Sequence, residues 1–195
     1  MLGHMVLEKL YGKDIFEVFD ITRKKDNRLN NFECDVTNLN SLFKIIKDIN
    51  PDYIINCIGV LTKGSIQDPS NAILTNALLP HKLAQFSKAI NAKFIHISTD
   101  CVFDGSKGSY IETDNKTAQD TYGLSKSLGE INDDKNLTLR TSIIGPELKD
   151  DGEGLFSWFI NQRGEVSGFT ESIWGGVTTL VLADIIIKSI NECYR

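Results

Sequence analysis

The chain has 195 residues, 41% of them hydrophobic and 24% charged, enough for one substantial domain and short for two. A net charge of -5 supplies no basic surplus, which counts against nucleic acid as a partner. No apolar run approaches the roughly 20 residues that span a bilayer, and no charged stretch with an apolar one behind it opens the chain, so the expectation is a cytoplasmic protein with no membrane partner.

Along the chain, short apolar runs alternate with segments of helical period. "MLGHMVLEKL", 1–10, reads as the first helix of a dinucleotide-binding fold without the strand and glycine-rich turn that normally precede it. "IFEVFD", 15–20, reads as a strand, "LNSLFKIIKDIN", 39–50, as a helix, and "YIINCIG", 53–59, as a strand nearly continuous in apolar residues. "PSNAILTNALLPHKLAQFSKAI", 69–90, is helical in pattern, with Pro80 inside it to kink or divide it. "FIHIS", 94–98, is a second buried strand, the segment around Tyr122 a helix, and "LTLRTSIIG", 137–145, a further strand. A polar loop, "PELKDDGEG", 146–154, leads toward a last helix in "TTLVLADIIIKSINECY", 178–194, whose apolar stripe is Leu180, Ala183, Ile187 and Ile190. This rhythm predicts an α/β fold: a doubly wound parallel sheet, Rossmann-like, lacking its first strand.

The four cysteines, Cys34, Cys57, Cys101 and Cys193, are far apart and form no CxxC pair, so they read as reduced structural thiols and no metal site is expected. Within "TYGLSKSLGE", 121–130, Tyr122 and Lys126 stand four apart, on one face of a helix. An ammonium near a phenol favours its ionised form, which would let Tyr122 exchange protons with a carbonyl or alcohol oxygen near neutral pH. Thr99, just past "FIHIS", lies at the carboxyl end of a strand, where open α/β sheets place their ligands, and its hydroxyl suits orienting that oxygen. Tyr and Lys at this spacing also occur in many helices by chance; the strand-end "STD" and the β-α rhythm are what single this pair out.

Taken together, "ISTDCVFDG", "YIETD", "YGLSKSLGE" and "NCIG" resemble the extended short-chain dehydrogenase/reductases, and within them the dTDP-4-dehydrorhamnose reductase-like nucleotide-sugar reductases. The resemblance implies that Tyr122 donates the proton, that Lys126 binds the nicotinamide ribose and lowers the tyrosine pKa, and that Thr99 positions the sugar carbonyl. It implies cofactor contacts at Met1, Leu2 and Gly3, at Arg23, at Asp35 with Val36, at Cys57, Ile58 and Gly59, and at Ser142 with Ile143. Gly3 would let the first helix approach the pyrophosphate closely. Arg23 would clamp a ribose 2′-phosphate and favour NADP, whereas Asp20 would accept from a free 2′-hydroxyl and favour NAD. Asp35 would meet the adenine or else serve a turn or N-cap. His96 and His81 read as packing or capping residues, and His4 has no evident partner.

On the substrate side the resemblance implies Thr99, Asp100 and Cys101, with Trp174 and Val177 of "WGGVTTL" facing the sugar, although a tryptophan there is as often a packing residue. Nucleotide-sugar dehydratases of this superfamily carry an Asp-Glu pair after the "ST" motif; here Asp100 precedes Cys101, and a thiol cannot serve as that second carboxyl. Rhamnose-forming reductases usually place a tyrosine where Cys101 stands and approach the catalytic tyrosine through Pro-Asn, where this chain has "TAQDTYG". The expected activity is NAD(P)H-dependent reduction of a 4-keto nucleotide sugar, dTDP-4-dehydrorhamnose-like, in deoxysugar and surface-polysaccharide synthesis. The alternatives are a nucleotide-sugar epimerase of the same superfamily or a truncated non-catalytic relative acting as a binding protein. The expected organisation is a dinucleotide-binding domain over 1–145 and an incomplete C-terminal substrate lobe over 146–195 packed on it, with a homodimer left open.

Overall fold

A computed structural model describes residues 1–148, 152 and 154–192; Cys193 and part of the predicted 146–154 loop lie outside the described residues. The elements are α1 (Leu2–Tyr11), β1 (Asp20–Thr22), β2 (Asn31–Glu33), α2 (Leu39–Ile49), β3 (Tyr53–Asn56), α3 (Thr62–Gln67), α4 (Pro69–Ala72), a π-helix (Ile73–Leu78), α5 (Leu79–Ala89), β4 (Lys93–Ile97), a 3-10 turn (Asp100–Val102), α6 (Thr121–Leu128), β5 (Leu137–Leu139), β6 (Ile143–Ile144), α7 (Leu155–Ile160), β7 (Val177–Thr178) and α8 (Thr179–Asn191). Every strand pair is parallel, as an α/β fold with helical crossovers requires. The ladders are β1-β2, β3-β4-β5 and β6-β7. Among the described residues no helix is long and apolar enough to cross a membrane. The chain divides into two compact units, Phe19–Arg140 and a second made of Met1–Val18 with Thr141–Arg195.

In the Phe19–Arg140 unit the sequence pattern and the elements agree best where the strand is central. Lying between β3 and β5, β4 is buried along Phe94–Ile97, whereas β3, on the edge of that ladder, is only partly buried over Tyr53–Ile55. A core of Cys34, Leu42, Ile46, Leu79, Leu83, Phe94 and Ile131 packs α2 and α5 against these strands, and Phe43 stacks on Phe86 at 4.5 Å. The predicted 15–20 strand is displaced: β1 begins at Asp20 and ends at Thr22. The partner strand β2 and the short α3 had no clear periodicity to predict them, being three and six residues long.

Pro80 divides its helix in a specific way. With no N–H, it cannot bond the carbonyl of Asn76 four residues earlier. The backbone widens into the π-helix before that point, and α5 then starts at Leu79 with Pro80 in its first turn. The Asn76 carbonyl faces Gly129, where an added Cβ would overlap its oxygen.

In the second unit α1 and α8 pack against each other, joined at the surface by Lys9 and Asp184 at 2.9 Å. Thr178 caps α8 by accepting from the Val181 N–H at 3.2 Å, and Thr179, Leu182, Ala183, Ile186, Ile187 and Ile190 are its buried residues. Leu180, predicted for that stripe, is 49% exposed; the helix starts only at Thr179, so its buried face is set by Leu182 and Ile186 one turn apart. α7, which the sequence reading left unassigned, has no buried residue.

Candidate active site

Three elements of the Phe19–Arg140 unit converge at the carboxyl end of the β3-β4-β5 ladder. α6 is started by Asp120, whose carboxylate accepts from the Gly123 N–H at 3.0 Å, and it carries Tyr122 and Lys126 one turn apart. β4 ends at Ile97 and delivers Ser98 and Thr99, both buried. The turn after β3 supplies Cys57, Ile58 and Gly59.

Lys126 is 4% exposed, and its Nζ donates to the Ile97 carbonyl at 2.6 Å. Burial pushes the amine down to about 8, against the opposing pull of Glu130 and Cys57. Thr99 stands between neighbours: its Oγ1 donates to Asp100 Oδ1 and accepts from the Cys101 N–H, both at 3.2 Å, and its side chain lies near enough to the Tyr122 phenol to pull that phenol's pKa down. The sequence-predicted trio of Thr99, Tyr122 and Lys126 is therefore gathered at one strand end.

One expectation fails in direction. The Tyr122 phenol is raised above its ordinary value, because burial outweighs the contact with Thr99, and Cys101, Asp100 and Asp120 add negative potential. One of the three Lys126 protons goes to a backbone carbonyl, and the phenol, raised by burial, is not a ready phenolate. A phenol held protonated is suited to give a proton rather than to take one.

Residues that sequence reasoning missed build the walls. Asn76, fully buried in the π-helix, accepts from the Val60 N–H at 2.8 Å and donates to the Val60 carbonyl at 2.9 Å and to Ser125 Oγ at 3.1 Å, tying the β3 turn to α6. Asn56 at the end of β3 accepts from the Ile58 N–H at 3.1 Å and meets His96 Nδ1 at 3.2 Å. Burial pushes His96 down to about 3, so the ring is neutral and Nδ1 accepts, a packing role as the sequence implied. His81 meets the Leu128 carbonyl at 2.7 Å and fastens α5 to α6. The signal for Asn76 was present in the sequence: a polar residue on a helical face four places before a proline.

The residues around this strand end also fit a dinucleotide. A Cβ on Gly59 would make only ordinary contacts, 3.5 Å from Asn76 Oδ1 and 4.0 Å from Lys126 Nζ, so the turn after β3 runs directly beside the ammonium. Arg23 follows the carboxyl end of β1, and its charge acts on Asp35, which follows β2. Asp35 makes a turn, its Oδ1 accepting from Thr37 N–H at 2.9 Å and Thr37 Oγ1 at 2.8 Å; the cap of α2 is Asn38 instead. Val36 lines a small apolar cleft with Leu39, Leu74 and Leu78. Asp20, in contrast, opens β1, and its side chain is 6% exposed and held by Arg28 at 3.0 Å and by the Asn31 amide at 2.7 Å. Burial pushes the Cys57 thiol up to about 12 and raises the thiol of Cys101 as well.

The other sequence-predicted residues belong to the second unit. Met1 to Gly3 open α1. Ile143 pairs with Val177 across the β6-β7 ladder, and the Val177 N–H donates to the Ser142 carbonyl at 3.0 Å. Trp174 is half exposed, and its indole lies where a side chain on Gly176 would have to go.

Comparison with known proteins gives a consistent result. A family model described as the RmlD substrate binding domain matches residues 1–155. The dTDP-4-dehydrorhamnose reductase of Burkholderia thailandensis is 37% identical over 101 residues, which make up 51% of this chain and 34% of that protein. A hypothetical dTDP-4-dehydrorhamnose reductase from Sulfolobus tokodaii superposes with a TM-score of 0.83 at 27% identity, over 100% of this chain and 70% of that one. The dTDP-4-dehydrorhamnose reductase of Bacillus anthracis, solved in complex with NADP, gives a TM-score of 0.77 at 26% identity, over 97% of this chain and 67% of that one. The chain thus spans about a third of the length of the curated relative it matches.

Proposed function

Because the chain belongs to the RmlD substrate binding domain family, we propose that it serves NADPH-dependent reduction of a 4-keto nucleotide sugar of the dTDP-4-dehydrorhamnose kind, in the cytoplasm and in the supply of deoxysugars for surface polysaccharide. The observation that carries this reading is the buried Lys126, one helical turn from Tyr122 on α6 and bonded to the last residue of β4, two residues before the strand-end Thr99. In this reading Met1, Leu2, Gly3, Arg23, Asp35, Val36, the Cys57–Gly59 turn, Ser142 and Ile143 hold the dinucleotide. Asp100, Cys101, Trp174 and Val177 face the sugar. Residues 1–145 form the dinucleotide-binding part and 146–195 belong to the substrate side.

The nicotinamide, when bound, supplies the hydride. The protein's share is the oxygen. Thr99 orients the carbonyl oxygen by hydrogen bonding, and Tyr122 gives that oxygen its proton as negative charge develops on it; the raised phenol pKa keeps the proton in place until then. Lys126 Nζ, fixed at 2.6 Å from the Ile97 carbonyl, has two further protons to offer ribose hydroxyls. Preference for NADP is supported by the unequal states of two side chains. Asp20 is committed to Arg28 and Asn31 at the wrong end of β1, while Arg23 stands at the carboxyl end, where a guanidinium can receive a 2′-phosphate. Reduction is favoured over dehydration because Cys101, with a thiol that burial holds protonated, cannot act as a second carboxylate.

The test is NADPH oxidation by the purified chain with dTDP-4-dehydrorhamnose, alongside Tyr122→Phe. Removing the proton donor is expected to cost about 10²–10⁴ in kcat. A variant as active as the unaltered protein removes Tyr122 from its role.

A further inference from the structure

Behind the site lies a charged cluster that the mechanism above does not use. The side chain of Glu130, just past α6, is 0% exposed. Its Oε1 accepts from Ser98 Oγ at 2.6 Å and from Arg140 Nε at 2.8 Å. Its Oε2 accepts from Arg140 Nη2 at 2.8 Å and pairs with Lys116 Nζ at 3.2 Å. Arg140 reaches onward to the Glu112 carbonyl at 3.0 Å and lies over the Phe103 ring at 5.3 Å, and Lys116 donates to the Ser127 carbonyl at 2.8 Å. A buried ion pair of this kind is often no more stabilising than apolar side chains of the same volume, so stability alone gives no reason for a carboxylate here.

What the carboxylate does hold is Ser98. That residue sits between Ile97, whose carbonyl receives Lys126 Nζ, and Thr99, and its own N–H is fixed to the Leu139 carbonyl at 2.8 Å. We propose that Glu130 is a positioning residue: through Ser98 it fixes the Ile97–Thr99 strand end, to which the Lys126 ammonium is bonded, so that hydroxyl, ammonium and phenol keep their relative places. The Glu130 charge opposes the loss of the Lys126 proton. The other titratable groups on the elements around Lys126 are Tyr122 on α6 with Asp120 at its cap, Tyr53 on β3 with Cys57 after it, Lys93 and His96 on β4, Lys63 on α3, and Asp100 with Cys101 in the 3-10 turn; none of them is a buried carboxylate.

The inference rests on the proposed reduction only for its turnover assay, so the first measurement avoids turnover. The Lys126 titration, followed by NMR of ¹³C-labelled lysine in the full chain, is expected to move down by about one pH unit in Glu130→Gln, where the amide can still accept from Ser98 but carries no charge. The second measurement separates positioning from charge. Ser98→Ala, with the Glu130–Arg140 pair intact, is expected to lower kcat for NADPH oxidation about tenfold, with KM for NADPH within about twofold, and Ser98→Thr to restore it. An unmoved Lys126 titration, or a Ser98→Ala variant with unaltered kcat, overturns the positioning. Should Glu130→Gln fail to fold by circular dichroism, the Ser98→Ala and Ser98→Thr pair decides. Should the unaltered chain show no turnover, the Lys126 titration alone decides on Glu130.

Discussion

The two compact units differ in how they treat their side chains. In Phe19–Arg140 the buried polar groups are nearly all engaged: Asn56, Asn76, Ser98, Ser125, Lys126 and Glu130 each have a partner at hydrogen-bonding distance. In the unit of Met1–Val18 and Thr141–Arg195, α7 is apolar at five of its six positions yet buries none of them, and Phe169 and Ile173 are 92% and 99% exposed. Side chains that are locked by packing and by a closed hydrogen-bond network can hold a reacting geometry. Candidate residues on a two-residue ladder such as β6-β7 have no such support within their own unit, and this is why the proposed chemistry is argued from Thr99, Tyr122 and Lys126 and not from Trp174.

The contrast is sharpest at two glycines. A methyl group on Gly129 would overlap the Asn76 carbonyl oxygen and crowd Ala77, whereas Gly168 has nothing near enough to be touched. Gly129→Ala is expected to destabilise the protein by about 3 kcal/mol, the upper range for overpacking a site bounded by backbone. Gly168→Ala is expected to stay within about 0.5 kcal/mol. Urea denaturation of both variants checks the pair, and equal losses would mean that the difference between the units is not energetic.

A smaller effect is expected at Asn76 itself. Asn76→Ala leaves the Val60 N–H and carbonyl without the amide that bridges them at 2.8 and 2.9 Å, at a cost of about 2 kcal/mol for partly buried unsatisfied groups. The same variant should raise KM for NADPH, because the Cys57–Gly59 turn loses its tie to α6. A stable variant with unaltered KM would separate the turn from the π-helix.

How much of this could be read from the sequence follows from the range of the forces involved. β4, α2 and α6 were legible because periodicity and capping residues act within a few positions, and the Tyr122–Lys126 spacing is fixed by the helix itself. β1 was misplaced by several residues, since a three-residue strand is defined by its partner β2 and not by its own composition. The direction of the Tyr122 pKa was misread for a similar reason: helical spacing places Lys126 one turn from Tyr122 but says nothing of the burial that raises the phenol. Glu130 and Ser98 form a pair 32 residues apart that no local pattern announces. α7 and the segment up to Trp174 were left open because their apolar residues do not sort into a buried and an exposed face.

His96 gives a different kind of test, made by acid and not by substitution. Its ring lies fully buried, with Nδ1 on Asn56 and, among the described residues, no partner for Nε2. Unfolded, the ring takes its proton near 6.5; folded, burial delays this to about 3. The unfolded chain therefore binds one more proton between those values, and stability is whole above 6.5 and declines as the pH falls toward 3, by about 1.4 kcal/mol per unit. In His96→Asn the decline should be shallower by that amount. Identical pH slopes in urea denaturation would mean that the ring is hydrated in the native state.

The smallest effects are expected where the second unit leaves its apolar side chains in water. A side chain contributes to folding in proportion to the apolar area it loses from solvent. Phe169 and Ile173, at 92% and 99% exposure, lose almost none, so Phe169→Ser and Ile173→Ser should each change stability by less than about 0.5 kcal/mol and leave the Lys126 titration in place. Removing them should also make the protein more soluble, because apolar surface at that exposure favours self-association. A loss above about 1 kcal/mol in either variant, by urea denaturation at several protein concentrations, would show that these side chains are covered in solution. A concentration dependence of that loss would identify the cover as another copy of the chain, and the second unit would then have the burial that its own elements do not give it.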